Sequence, residues 1–336
     1  MTTALLRPLA LSPGMKRAGD APLGGSALVR FRQVQDATGR VRPLTALGAA
    51  TLHRLSSPRN ALCGLSLDRP RIMGILNVTP DSFSDGGTLD GVAGALARAQ
   101  AMAVDADILD IGGESTRPGA TDVPAAEEIA RTVPVIRAIR AAGLTTPISI
   151  DTRKASVAAA ALEAGADMVN DVTALRYDPD MAHVVAAAGC PVCLMHSKGD
   201  PATMQNGPAY DDVTAEVFAH LADSITRATD AGIARHLIIT DPGIGFGKTQ
   251  DHNLTLLRDL ETFHDLGLPI LLGASRKRFI GTITRVDDAD RRLAGSLAVA
   301  LHGVNLGAQI VRVHDVTQTR RALDMACALN GVSHDH

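Results

Sequence analysis

From residue 71 onward, short apolar runs alternate with longer Ala-rich stretches in which apolar residues recur at helical spacing. The short runs predict strands at residues 71–77, 107–111, 147–151, 167–170, 191–195, 236–241, 269–273 and 308–313. The longer stretches predict helices at residues 90–104, 125–142, 154–164, 179–188, 211–231, 250–265, 289–303 and 316–329. Eight such pairs in about 260 residues predict an α/β fold of the (β/α)8 TIM-barrel type. A doubly wound sheet is the alternative, but it more often stops at five or six strands.

The barrel repeats divide the chain into an N-terminal extension (1–70), the barrel (71–330) and a short C-terminal tail (331–336). Within the extension, alternating runs at 27–35 and 40–44 flank an Asp-Ala-Thr-Gly turn and predict a β-hairpin. We expect this hairpin to close the floor of the barrel.

The extension is basic, with ten Lys and Arg residues against three Asp, in a chain whose formal net charge is -3. An acid-poor, Arg-bearing start is also typical of an organellar transit peptide. A processed peptide has no need of a hairpin, so we favour an ordinary terminal extension.

Composition excludes two classes of partner. Aromatic residues make up 2% of the chain and Trp is absent, so the protein is not a stacking platform for single-stranded nucleic acid. No apolar run approaches the roughly 20 residues that span a bilayer, so we expect no membrane partner.

The four cysteines are too few for a disulfide framework in a chain of 336 residues. Cys190 and Cys193 form a C-x-x-C pair, but the pair continues into a predicted buried strand, and a separation of three places the two thiols on opposite faces. We therefore expect structural thiols and a reducing, cytoplasmic location.

Polar residues recur at or just beyond the carboxyl ends of the predicted strands. They are Asn77, Asp110, Asp151, Asn170, His196, Asp241, Ser275, Lys277, Arg312 and His314. One such residue is usually a turn former, but so many in register indicate the face of a barrel where catalytic groups converge.

Residues 241–248 read Asp-Pro-Gly-Ile-Gly-Phe-Gly-Lys, which fits neither the P-loop nor the dinucleotide-binding fingerprint. We expect the glycines to let the backbone approach a flat ligand closely, with Asp241 as the polar anchor. Asp151 and Asp241 form a carboxylate pair suited to the amidine-like edge of a heterocycle. Each aspartate alone is more typical of a helix N-cap.

Positive charge comes from residues 275–279 (Ser-Arg-Lys-Arg-Phe) and from Arg312 and His314. Because Arg312 and His314 are two positions apart on a strand, they face the same side and can bind one anion together. A solvated basic turn is the alternative for 275–279. Long polar loops at 79–87 and 113–119 are typical of lids that exclude water.

These motifs resemble those of the dihydropteroate synthases. Residues 75–87 and 109–119 resemble the first and second signatures of that family, and the family's order continues through 150–152, 170–172, 241–248, 275–279 and 312–315. The resemblance covers roughly residues 71–330. It implies a TIM barrel that joins 4-aminobenzoate to 6-hydroxymethyl-7,8-dihydropterin diphosphate and releases pyrophosphate in folate synthesis.

The resemblance also implies residue roles. The pterin ring is expected to be held by Asp151, Asn170, Asp241 and Lys277. Asn77 is expected to ligate Mg²⁺ and, with Arg312 and His314, to bind the diphosphate. The aminobenzoate is expected to lie among Phe83, Thr116, Arg117, Pro118 and Ser275. The residues expected to be catalytic are Asp151, Lys277, Arg312 and His314.

Mg²⁺ as cofactor, two small-molecule substrates and a homodimer are further implications of the resemblance. One departure stands out: Ser197 and Lys198 occupy positions where the family more often has Met-Gln, at the edge of the expected pterin pocket.

Two other functions remain open. A corrinoid-linked methyltetrahydrofolate methyltransferase is similar in having a pterin-binding barrel, but it needs neither the Ser-Thr-Arg-Pro loop nor the Arg312 and His314 pair. A non-catalytic pterin-binding paralogue is expected to have lost loop or anion-binding residues, and the sequence retains them.

Overall fold

Eight parallel strands form a barrel that closes on itself. The computed structural model describes residues 5–11, 17–78, 88–115, 122–199, 204 and 207–332. The barrel strands are β5 (Arg71–Asn77), β6 (Ile108–Gly112), β7 (Ile148–Asp151), β8 (Met168–Asp171), β9 (Val192–Met195), β10 (Ile238–Asp241), β11 (Leu271–Leu272) and β12 (Ile310–Val313). Their order is β10-β9-β8-β7-β6-β5-β12-β11, and a parallel bridge between Thr240 and Ile270 joins the two ends. The predicted TIM barrel is confirmed.

Helices alternate with these strands. They are α2 (Thr88–Ala103), α3 (Ala125–Ala141), α4 (Ala155–Glu163), α5 (Met181–Ala188), α6 (Val213–Asp230), α7 (Gln250–Arg258), α8 (Arg278–Thr284), α9 (Leu293–Asn305) and α10 (Val316–Leu329), with α1 (Ala49–Ser56) in the extension. A large apolar cluster lies between the helices and the outer face of the barrel.

Two predicted helices differ from those observed. The helix expected at 250–265 ends at Arg258 and continues as a buried 3-10 segment, Leu260–Leu266, which packs against the N-terminal extension. The helix expected at 289–303 starts later, at Leu293. There the guanidinium of Arg292 donates to the carbonyl of Val286 at 3.0 Å, which stabilises the preceding segment as a turn.

The extension forms a four-stranded antiparallel sheet with β1 (Leu6–Ala10), β2 (Ala21–Pro22), β3 (Arg30–Asp36) and β4 (Val41–Pro43). The predicted hairpin is present as β3 and β4. Strand β1 attaches the sheet to the barrel: Arg7 pairs with Asp259 at 2.6 Å, and the Leu6 amide donates to Asp265 at 3.2 Å.

The expectation that the hairpin closes the barrel floor is wrong. Leu62 and Leu67, which follow the sheet in sequence, pack against the inward-facing apolar side chains of the strands. The lower layer of the barrel interior consists of Met73, Ile108, Met168, Cys193, Ile239, Leu271 and Ile310. The hairpin side chains Phe31 and Val34 belong to a separate cluster that also contains Leu55 of α1 and Cys327 of α10.

Replacing Leu62 with alanine is expected to lower the free energy of unfolding by about 2–5 kcal/mol, since the cavity would open among close-packed strand residues. The matched control is Leu65→Ala, because Leu65 is only partly buried against the same cluster. Urea denaturation of both variants measures the difference. Equal losses would contradict the assignment of Leu62 as the floor residue.

The described cysteines are all free thiols, and Cys190, Cys193 and Cys327 are buried. Cys193 faces the barrel interior whereas Cys190 lies in the outer cluster, so the prediction of opposite faces is confirmed. Among the described residues, no helix is both long and apolar enough to cross a membrane.

Candidate functional site

Arg312 lies at the centre of the barrel mouth, bound to two carboxylates. Its Nε donates to Asp110 at 2.5 Å, and its Nη2 donates to Asp151 at 2.6 Å. Burial opposes the charge on the guanidinium, but the two aspartates outweigh burial and raise the pKa of Arg312. The residue expected to bind an anion is therefore paired with a residue expected to bind the ring.

Within the described residues, two buried oxygens beside this arginine have no hydrogen-bond partner: Oδ1 of Asp110 and Oδ1 of Asp151. The other oxygen of Asp110 also accepts from the amide of Asn170 at 3.3 Å. Leaving a buried acceptor unpaired costs about 1–3 kcal/mol, so the mouth is arranged to receive N–H donors from a ligand. Burial raises the pKa of Asp151 to about 7, although Arg312 opposes the rise.

Asp241 and Lys277 lie on the neighbouring side of the mouth. One oxygen of Asp241 accepts from the Gly243 amide at 2.7 Å, and burial raises the pKa of this carboxyl group. The Nζ of Lys277 donates to the carbonyl of Ile244 and lies 4.4 Å from the centre of the Phe246 ring. Burial lowers the pKa of Lys277 to about 7, against the opposing effect of Asp241.

The arginine and Asp241 border the same space. A Cβ built at Gly273 would lie 3.6 Å from Oδ2 of Asp241 and 3.8 Å from Cβ of Arg312. Strands β10, β11 and β12 thus bring a carboxylate, a glycine and a guanidinium together, as the strand-end pattern predicts.

Two of the three glycines of 241–248 lie against protein backbone, and the third, Gly245, lies against the side chain of Lys277. Gly243 and Gly247 have φ of 69° and 61°, and a Cβ at these positions would lie 1.8 Å from the His196 carbonyl oxygen and 2.3 Å from that of Lys198. What these two glycines approach closely is therefore the chain after β9, rather than a ligand. A side chain at either position would collide with backbone.

Lys248 holds this loop in place. Its Nζ donates to the carbonyls of Gly243 at 2.8 Å and Phe246 at 3.0 Å, and lies 2.8 Å from Nδ1 of His196. Burial lowers the pKa of Lys248 and also that of His196, so a neutral imidazole is expected to accept from the lysine. Within the part of the chain that the structure describes, His196 therefore has a structural role.

His314, directly after β12, has a different partner from Arg312. Its Nδ1 lies 3.1 Å from Oγ of Ser275, and its backbone amide donates to the same oxygen at 3.2 Å. Ser275 is itself buried at the end of the β11 segment. The two residues expected to bind one anion are thus oriented by separate contacts.

Asn77 and Asp151 lie on either side of Gly112. A Cβ at Gly112 would be 3.7 Å from Oδ1 of Asn77 and 3.7 Å from Oδ2 of Asp151. The described residues contain no group of three or more His, Cys, Asp or Glu side chains that could hold a metal ion. An oxygen ligand such as Asn77 suits Mg²⁺ only if a ligand supplies further oxygens, which is how Mg²⁺ commonly binds with phosphates.

A buried ionic network that no sequence pattern predicted surrounds Glu114 and Lys154. Glu114 binds Arg153 at 3.1 Å and Lys154 at 2.9 Å, and Lys154 also binds Glu128 at 2.9 Å. Glu114 accepts from the Val123 amide at 3.0 Å as well. The sequence shows two cationic residues directly after Asp151 and Thr152, but only the fold brings this pair close to Glu114.

Asp110 was recognised only as one of the strand-end residues. Its bond to Arg312 joins positions 202 residues apart, which no local pattern can show. Lys198, the departure noted above, donates to the Ala209 carbonyl at 2.6 Å and lies 4.1 Å from the centre of the Tyr210 ring, at the start of α6. The predicted residues Phe83, Thr116, Arg117 and Pro118, with most of the two polar loops, lie outside the described residues.

Comparison with known proteins gives consistent results. Residues 73–314 match the family model described as pterin binding enzyme. The dihydropteroate synthase of Escherichia coli K12 is 47% identical over 260 residues, which cover 77% of this chain and 91% of that protein.

Solved structures are similar over the same region. The Xanthomonas albilineans dihydropteroate synthase with 4-aminobenzoic acid has a TM-score of 0.76 and 48% identity, covering 82% of this chain and 99% of that one. The same protein in complex with 7,8-dihydropteroate has a TM-score of 0.72 and 46% identity, covering 80% and 97%.

Proposed function

Because the chain belongs to the dihydropteroate synthase family of pterin-binding enzymes, we propose that it condenses 6-hydroxymethyl-7,8-dihydropterin diphosphate with 4-aminobenzoate. The products are 7,8-dihydropteroate and pyrophosphate, so the protein is a transferase of folate synthesis. The Xanthomonas structures contain one substrate of this reaction and its product, which supports the same chemistry here.

One observation carries the proposal most directly. In the described part of the barrel mouth, two buried carboxylate oxygens, on Asp110 and Asp151, lack a hydrogen-bond partner and lie next to the guanidinium of Arg312. A dihydropterin offers several ring and amino N–H donors, and its diphosphate offers anionic oxygens. Both halves of this substrate therefore match groups in the mouth.

In the reaction, the carbon–oxygen bond to the diphosphate breaks and a carbon–nitrogen bond to the arylamine forms, with loss of a proton from the amine. Asp151, Asp241 and Asn170 accept from and orient the ring. Arg312 and His314 neutralise the charge that collects on the departing diphosphate, which lowers the barrier electrostatically. Lys277 completes the ring site, and Ser275 orients His314.

Asn77 would hold Mg²⁺ together with oxygens of the diphosphate, in keeping with its single amide oxygen. When bound, the ion supplies further neutralisation of the leaving group.

The test is turnover by the purified protein. Both substrates with Mg²⁺ should yield pyrophosphate and dihydropteroate in equal amounts, and omission of 4-aminobenzoate should abolish both products. A non-catalytic paralogue would bind pterin without releasing pyrophosphate. A methyltransferase would consume methyltetrahydrofolate in the presence of a corrinoid protein. Either result in place of turnover would contradict the proposal.

The affinity for a phosphate-free pterin is expected to fall as the pH decreases through about 7. The pKa of Asp151 is raised to about 7, so below this pH the group increasingly becomes a neutral acid that cannot accept from two N–H donors. The loss should approach about tenfold for each further pH unit. Calorimetric titrations between pH 6 and 8 measure it, with Asp151→Asn as the control that should lack this dependence. Equal slopes in both proteins would contradict the assignment to Asp151.

We also propose a homodimer and a cytoplasmic location. Ile283, Met325 and Leu329 are exposed on α8 and α10, both of which contact α9, and this supports an association surface there. The free buried thiols suit a reducing compartment. Sedimentation equilibrium of the full chain tests the dimer, which a monomeric mass would contradict.

A further inference from the structure

The ion pair between Arg312 and Asp151 occupies the groups that the substrate needs. Oδ2 of Asp151 accepts from Nη2 of Arg312, and its Oδ1 accepts from no residue that the structure describes. A ring edge with adjacent donors uses both oxygens of a carboxylate, and a diphosphate needs the cation. Binding of the whole substrate therefore breaks the ion pair between Arg312 and Asp151 and replaces it with two sets of contacts. Ring donors bind Asp151, and phosphate oxygens bind Arg312.

This exchange requires that something other than Asp151 keep Arg312 in the mouth. Arginine is long and flexible, and ordering it during binding costs side-chain entropy. Its second partner, Asp110, is fully buried on β6 and holds Nε at 2.5 Å. The same oxygen of Asp110 accepts from Asn170 on β8, so the carboxylate is tied to a neighbouring strand position.

We propose that Asp110 is the positioning residue of Arg312: it retains Nε while Nη2 passes from Asp151 to a phosphate oxygen. The inference rests on the proposed function and deepens it, since it adds to the anion site a residue that touches no phosphate oxygen. Asp110 acts through the arginine, and its own charge is unfavourable for an anion nearby.

Because the charge of Asp110 repels an anion, the direction in which the pyrophosphate affinity changes distinguishes two roles for this residue. If Asp110 were only a nearby negative charge, Asp110→Asn would tighten the binding of pyrophosphate, because a repelling carboxylate is removed. If Asp110 positions Arg312, the same variant weakens pyrophosphate, because the guanidinium is left to pair with Asp151 alone. We expect weakening by about ten- to a hundredfold, the size of one lost charge-assisted hydrogen bond.

The measurement is calorimetric titration of the full chain with magnesium pyrophosphate. The matched control is Asp171→Asn: Asp171 is equally buried, but its oxygens accept from the amides of Thr173 and Leu175 in its own turn. This control should bind pyrophosphate as the unaltered protein does. In turnover, Asp110→Asn should raise KM for the diphosphate substrate more than it lowers kcat, whereas partial unfolding would lower kcat alone.

A double-mutant cycle shows whether Asp110 acts through the arginine. In an Arg312→Gln background, Asp110→Asn should no longer weaken pyrophosphate. Additive losses would overturn the proposal, as would tighter or unchanged binding in the single variant.

Should Asp110→Asn fail to fold, Arg312→Lys serves instead. Lysine keeps the charge but cannot bridge two carboxylates with a rigid fork. The affinity of this variant for pyrophosphate should therefore also fall about tenfold or more. Undiminished binding by Arg312→Lys would overturn the proposal. Because pyrophosphate binding is measured without turnover, a protein that makes dihydropteroate yet fails these tests contradicts only this inference. A protein without turnover contradicts the proposed function instead.

Discussion

Asp151→Asn is expected to lower kcat/KM for the pterin diphosphate by a factor of about a hundred or more. The amide keeps the shape of the side chain but places an N–H₂ group where Arg312 and ring donors meet an oxygen. Two charge-assisted contacts are lost together, because the ring edge is proposed to use both oxygens of Asp151, including the Oδ2 that Nη2 of Arg312 holds at 2.6 Å in the free protein. Steady-state kinetics with saturating 4-aminobenzoate measures the loss.

Asp171→Asn is again the appropriate control, since it removes a buried carboxylate from the end of the next strand without touching Arg312. We expect that variant to lose stability but to retain kcat/KM per folded molecule. If Asp151→Asn kept a third or more of the activity, Asp151 would not be a ring-binding residue.

Gly243→Ala is expected to lower the free energy of unfolding by more than about 3 kcal/mol, which is exceptional for a single methyl group. The added Cβ would lie 1.8 Å from the His196 carbonyl oxygen, so the backbone of one segment must move. The positive φ adds about 1–2 kcal/mol of conformational strain. Movement would also disturb the bond from the Gly243 amide to Asp241, so activity should fall as well.

The control separates strain from collision. Gly143 has φ of +81° but nothing within 4 Å of its Cβ position, so Gly143→Ala adds strain alone. We expect that variant to lose only about 1–2 kcal/mol by urea denaturation, with normal activity. Similar losses in both variants would show that the contact with His196 is readily relieved.

The barrel could be predicted from the sequence because its signals are local. Each strand is a short apolar run and each strand end carries a polar residue, so the fold places Asn77, Asp151, Asn170, Asp241 and Arg312 on one face without further information. The parallel order of the strands then follows from the helices between them. Local sequence patterns therefore predict the face of the barrel on which each side chain lies.

Partners across the barrel could not be predicted. Whether Arg312 points at an anion site or at Asp110 and Asp151 depends on the closure of the sheet, which brings β12 within reach of β6 and β7. The close approach of Gly243 and Gly247 to the chain after β9 could not be predicted for the same reason, because that segment begins at His196, about fifty positions earlier. Charge and flexibility are visible in sequence, but the identity of the neighbour is not.

The attachment of the N-terminal sheet also constrains the order in which the chain can fold during synthesis. Leu6 and Arg7 are bound to Asp265 and Glu261, at separations of 259 and 254 residues. Ribosomes release the N-terminus first, so the opening strand must wait for its docking site through most of translation. Until then the apolar faces of Phe31 and Val34 have no complete core to enter. Strand β1 is therefore made long before it can reach its final position, and until then it lacks its contacts to Asp265 and Glu261.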